Sequence, residues 1–149
     1  MAKPTLATLD EQVKARYSDE ELEEFRKIIL QKKEKAEEDL ALLTSSYTGE
    51  GGNSTEDTSP TFKTIEDGRK ALEKEESSRL AARQAKFIRS LNNALIRIEN
   101  KTYGICRITG KLISKERLRS VPHATLSMDG KRFEQQSQTQ RKNYQSFRN

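Results

Sequence analysis

Two long helical patterns separated by a polar, glycine-rich run constrain this chain more than any other feature. The first pattern begins at Ser18. Ser18-x-x-Glu21 is a capping box, in which hydroxyl and carboxylate satisfy backbone N–H groups left free at a helix start. Tyr17 and Leu22 stand at the two positions of a hydrophobic staple. Asp19, Glu20 and Glu21 favour the positive end of the helix dipole. Leu22, Ile29, Ala36 and Leu43 then recur every seven residues, with Phe25 three after the first. This spacing predicts a coiled-coil seam, weakened midway where Lys32 and Asp39 take the other core position. Residues 44–62 are rich in Gly, Ser and Thr and cannot bury enough surface to fold alone. A second pattern, with a weaker cap at Thr64-x-x-Asp67, runs to about Lys101. Ile88, Leu91, Leu95 and Ile98 form its better seam; Leu72, Ala81 and Gln84 form a poorer one near the loop. Two long helices joined by one loop fold back antiparallel.

The composition suits that arrangement. Only 32% of residues are hydrophobic and 34% are charged, too little apolar material for a thick core but enough for one stripe per helix and a small satellite core. No apolar run approaches the roughly 20 residues that span a bilayer, and no signal-peptide core follows the start. A cytoplasmic protein without membrane contact is expected. The net charge of +5 is uneven: residues 18–46 hold nine acids and five bases, residues 66–101 six and nine, residues 102–149 three and ten. A basic end suggests an acidic partner such as nucleic acid, a nucleotide or an acidic protein surface. The expected segments are a flexible tail over 1–16, a coiled coil over 17–101 with its tip loop at about 44–65, a knuckle over 102–131, and a basic polar tail over 132–149 that is a frayed helix or disordered.

The knuckle begins at Tyr103-Gly-Ile-Cys106, where the apolar period changes. Thr109-Gly110 between Ile108 and Leu112 suggests a short hairpin. Ser114 suits the cap of a short helix, Lys115 to Ser120, halted near Pro122. Ile105, Ile108, Leu112, Ile113, Leu118, Val121, Leu126 and Met128 offer a mini-core. The frame is that of a four-cysteine zinc knuckle, but the ligand positions hold Cys106, Thr109, Ser127 and Gly130. A structural zinc site needs four Cys or His ligands, and Cys106 and His123 are the chain's only such residues. Zinc is therefore not expected, with apolar burial taking over its stabilising role. One His, one Cys and no glycine-rich phosphate loop also argue against an enzyme; Cys106 reads as a small buried residue and His123 as a loop histidine. Acids gather around the second half of the loop at Glu56, Asp57, Glu66 and Asp67, and Arg79, Arg83, Lys86 and Arg89 run along the second helix.

Tyr17-Ser-Asp-Glu-Glu-Leu-Glu-Glu-Phe, the long polar loop, Leu91 through Tyr103-Gly-Ile-Cys106, and the knuckle through Lys131 together resemble the DksA/TraR family of bacterial transcription regulators. The resemblance covers residues 17–131; its most specific pieces are the helix running into Tyr-Gly-x-Cys and the Arg117-Leu118…Pro122 spacing. It implies a mainly α protein: a long antiparallel two-helix coiled coil with a small zinc-finger-like globular end. It further implies a regulator that enters the secondary channel of RNA polymerase, places acidic tip residues near the active centre, and binds no specific DNA sequence. Counted back from Cys106, Glu66 falls on one tip-acid position, with Asp67 beside it, while Lys63 departs from the other; Arg83 falls on a polymerase-contacting position. Lys131 matches one position through which members respond to guanosine tetraphosphate; Ser90 and Val121 do not match the others, so that response is not counted on.

The function expected is thus a non-enzymatic regulator acting on RNA polymerase as a monomer, its seam being satisfied within one chain. One alternative is a nucleic-acid-binding module built on residues 107–149, with Phe133, Tyr144 and Phe147 stacking among bases. Another is a structural coiled-coil adaptor or homodimer.

Overall fold

The computed structural model describes residues 16–48 and 60–147. They form four helices: α1 (Asp19–Thr48), α2 (Pro60–Glu99), α3 (Lys115–Ser120) and α4 (Met128–Ser146). Among these residues the sole β pairing is one antiparallel bridge, Ile105 with Leu112. The molecule is mainly α, and α1 and α2 form the coiled-coil hairpin. It divides into two compact units: residues 1–29 with 93–149, and residues 30–92.

The hairpin unit, 30–92, is thin. Ser46 and Ser77 place their hydroxyls 3.2 Å apart, and Asp39, Leu42 and Leu43 share a groove with Leu80, Arg83, Gln84 and Phe87. These pairings run in opposite directions along the two helices, the antiparallel order expected of a two-helix hairpin. Only Ala36, Ala81 and Leu91 are buried here. The helices extend further into the expected loop than the seam predicts. α1 continues through Thr48, where the Thr48 hydroxyl donates to Thr44 O at 2.6 Å. α2 starts at Pro60, a residue preorganised for a first helical turn. Thr64 is therefore no cap; its hydroxyl donates back to Pro60 O at 2.9 Å inside the helix. Leu72, expected on the seam, is 67% exposed.

The other unit holds the real core. α1 starts as its sequence dictates, with Ser18 N–H donating to Glu21 Oε2 at 3.0 Å and Glu21 N–H to Ser18 Oγ at 3.3 Å. Its apolar stripe, Leu22, Phe25 and Ile29, is buried with Ala94 and Ile98 of α2. Three rings meet there: Phe25 lies 5.4 Å from both Tyr17 and Tyr103, centroid to centroid. Such pairs add about 0.5–1.5 kcal/mol beyond their burial. Each tyrosine keeps its hydroxyl partnered, Tyr103 donating to Pro122 O at 2.7 Å and Tyr17 to Ile113 O. Gly104 fits this cluster for two reasons. Its φ is +77°, and a Cβ would lie 2.5 Å from the Tyr17 ring. α3 forms as expected, Ser114 Oγ accepting from Arg117 N–H at 3.3 Å.

One expectation fails in this unit. Ile108 and Met128 are 38% and 52% exposed rather than part of the mini-core, which closes around Ile113, Leu118 and Leu126. Of the two states expected for the basic tail, a frayed helix or disorder, residues 128–146 take the helical one, because Ser127 caps α4 and Arg107 anchors Glu134 on it at 3.2 Å. The expected N-terminal tail, up to residue 15, lies outside the described residues.

Candidate functional site

The fold brings together the four positions of the zinc-knuckle frame. Cys106 N–H donates to Lys111 O and Gly110 N–H to Cys106 O, at 2.8 and 2.9 Å, closing a tight loop whose Gly110 sits at φ +69°. Thr109 N–H points at Cys106 Sγ, 3.5 Å away, and Ser127 Oγ donates to the same sulfur at 3.4 Å. That Oγ also accepts from Gly130 N–H at 3.1 Å, so one hydroxyl ties the thiol to the start of α4. Gly130 packs directly on the sulfur; a Cβ there would stand 2.6 Å from Sγ. Cys106 is 1% exposed. Burial raises its pKa, but hydrogen bonds from Ser127 and Thr109 outweigh burial and bring it down to about 6. The small apolar residue expected at 106 is instead a hydrogen-bonded thiol. His123 is half-buried, and its carbonyl accepts from Arg97 at 3.5 Å.

A set of charged pairs holds α1 against this knuckle. Asp19 meets Lys101 at 2.8 Å, Glu21 meets Lys115 at 2.6 Å and Glu24 meets Arg119 at 3.2 Å. Glu21 thus serves both its helix cap and Lys115. The hydrogen bond from Lys101 holds the Asp19 carboxyl below its usual pKa, and the one that Lys115 donates to Glu21 raises the pKa of Lys115.

Glu66 and Asp67 lie on α2 itself, not on a loop. Glu66 is half-buried and 3.9 Å from Arg69, and Asp67 is exposed. Arg83 lies on the same helix, roughly 25 Å further along at 1.5 Å per residue. It rims a groove of about 630 Å³ whose walls are Leu42, Leu43, Leu80 and Phe87. Sequence reasoning missed this groove; its signal was Leu42 and Leu80, apolar residues that fall off the seven-residue repeat. Lys131 is exposed in the first turn of α4, beside Gly130. Glu56 and Asp57 lie outside the described residues.

Residues 101–131 match the family described as the prokaryotic dksA/traR C4-type zinc finger. Over 53 residues the chain is 42% identical to YteA of Bacillus subtilis strain 168, an uncharacterized protein; the match spans 36% of this chain and 22% of that one. Among solved structures, transcription factor DksA2 from Pseudomonas aeruginosa shares the fold, with a TM-score of 0.65 over 93% of this chain and 94% of that one, at 22% identity.

The family match corrects one expectation. Counting ligands argued that zinc has no place here, yet the matched family is a zinc finger and points to zinc. The residues present do not complete its four-cysteine set: one thiol, two hydroxyl residues and a glycine hold the positions, and no group of three or more His, Cys, Asp or Glu gathers anywhere among the described residues. Residues 101–131 thus match the knuckle of the dksA/traR zinc-finger family, and the chain as a whole shares the fold of DksA2.

Proposed function

We propose that this protein is a non-enzymatic, cytoplasmic transcription regulator that binds RNA polymerase through the secondary channel. The observation that carries the reading is the likeness of nearly the whole chain to the fold of DksA2, which is named a transcription factor. The positions of the candidate residues support it. Asp67 is presented on a solvated stretch of α2 with Glu66 beside it, and Arg83 stands at the mouth of an apolar groove. In this reading Arg83 and the groove grip the polymerase while Glu66 and Asp67 act near its active centre. No described helix is long and apolar enough to cross a membrane.

Capture of RNA polymerase by the purified chain, followed by initiation assays, tests the proposal. Arg83→Ala should weaken capture. Glu66→Ala with Asp67→Ala should leave capture intact and abolish the effect on initiation. Absence of polymerase binding overturns the reading, and an active double variant overturns the acidic mechanism. In the nucleic-acid alternative, α4 would present Phe133, Tyr144 and Phe147 on one face, with Arg132 and Arg141 at its flanks and Lys131 and Lys142 opposite; salt-dependent binding of nucleic acid in the absence of polymerase would favour it.

A further inference from the structure

α4 runs well beyond the ion pair that ties it to the knuckle. Arg107 meets Glu134 at 3.2 Å, and of residues 135–147 every one except Ser137 is exposed. Phe133, Tyr144 and Phe147 are 59%, 70% and 88% exposed. Phe147, the C-cap residue, keeps a right-handed helical backbone. Spacings of eleven and three residues put the three rings on one face, Phe133 and Tyr144 about 16 Å apart along the axis. Between the rings the same face holds Ser137 and Gln140, with Gln136 at its edge. α4 contains no Leu, Ile, Val or Ala. A helix that docks in an apolar protein groove offers apolar anchors at intervals of three and four residues. Here hydroxyl and amide groups stand at those intervals. Flat rings interspersed with amides suit nucleobases, which stack through their faces and hydrogen-bond through their edges.

The charges favour a polyanion. Residues 128–147 hold four bases and two acids. Both acids are taken, Asp129 by Arg132 at 4.0 Å and Glu134 by Arg107. Residues 135–147 hold two bases, Arg141 and Lys142, and no acid. Neither takes part in an ion pair among the described residues. Arg132 and Arg141 lie on the two flanks of the aromatic face, about 100° and 80° round the helix from Phe133. The phosphates of a strand lying along the rings pass those flanks.

We propose that α4 binds single-stranded nucleic acid, whose bases stack on Phe133, Tyr144 and Phe147 while its phosphates meet Arg132 and Arg141. This gives the nucleic-acid alternative a defined ligand and rests on α4 alone, not on polymerase binding. Stacking accepts every base, and few phosphates are met, so the binding is weak, tolerant of sequence and sensitive to salt.

Fluorescence anisotropy of the full chain with labelled mixed-sequence strands of about 16 nucleotides, at about 50 mM salt, tests the proposal. Saturable binding is expected, falling with salt at a logarithmic slope of about −1.4, or about −0.7 for each of two phosphates. A duplex of the same length binds at least ~tenfold more weakly, because its bases are not free to stack on the rings. Phe133→Leu with Tyr144→Leu keeps the face apolar, removes two rings and weakens strand binding at least ~tenfold, whereas Tyr144→Phe retains it. Helix content by circular dichroism stays unchanged, since both side chains are exposed. Arg141→Gln makes the salt slope shallower by about 0.7. DNA and RNA strands are compared side by side; binding of either supports the proposal, and the tighter one names the strand that the face takes. No binding at low salt, equal binding of duplex and single strand, or a double leucine variant that binds like the parent overturns it. Binding to vesicles of anionic lipid without binding to strands also overturns it, and assigns the face to a membrane surface. So does a parent that binds no strand and a leucine variant that loses polymerase capture, which assigns the face to polymerase.

Discussion

The knuckle unit and the opening turns of α2 spend the same residue types in opposite ways. Around the knuckle, Tyr17, Phe25 and Tyr103 are all at most 5% exposed, and each touches side chains from a different segment. At the start of α2, Phe62, Ile65 and Leu72 are all more than half exposed. Local helix-forming tendency does not explain the contrast, since Phe25 and Leu72 both stand well inside helices. Burial requires several segments to converge. α1, the end of α2, the 103–113 loop and α3 close on Phe25 and Gly104, whereas the opening turns of α2 leave Ile65 and Leu72 largely in solvent. One region encloses its apolar side chains and the other displays them.

Substitutions should separate the two regions sharply. The largest loss is expected from Phe25→Ala, which empties the centre of the ring cluster and should cost about 3–5 kcal/mol in denaturant unfolding. A cost near 1 kcal/mol would mean that the cluster collapses freely and that the knuckle unit does not hold its shape through Phe25. Next, Tyr17→Phe leaves the buried Ile113 carbonyl without its donor and should cost about 1–3 kcal/mol in the same measurement. Leu72→Ala, measured at low protein concentration, should stay within about 0.5 kcal/mol of the parent; a larger loss would reveal an intramolecular partner and erase the contrast. The smallest effect concerns acid. Because Lys101 lowers the folded-state pKa of Asp19, this pair stabilises the fold above the unfolded value of about 3.9 and is lost as pH falls through the lower folded one. Asp19→Asn should flatten that acid limb and leave neutral-pH stability almost unchanged, because the pair is exposed.

What could be read in advance follows the range of the forces involved. The capping box at Ser18, the cap at Ser114 and the span of α3 depend on neighbours within a few residues, and all stand where the residues placed them. The limits of α1 and α2 near residues 48 and 60 did not follow, because back-bonding threonines and Pro60 carry helix into sequence whose composition resembles a loop. Ile108 and Met128 were assigned to the core on hydrophobicity alone, yet a thirty-residue knuckle has too little interior to enclose them. The frame of Cys106, Thr109, Ser127 and Gly130 was visible as spacing. That Ser127 would hydrogen-bond the thiol while capping α4 required the fold.

By itself, the sequence determined two long helices, their antiparallel return, the position of the knuckle and the zinc-finger family that the knuckle matches, because periodicity, caps and a distinctive Tyr-Gly-x-Cys step are encoded at short range. Tertiary structure alone decided which apolar residues are enclosed, how the lone thiol is held, and how far α1 and α2 run into the polar stretch between them. Those outcomes depend on where segments distant in the chain end, and burial is settled only once every neighbouring surface is in place.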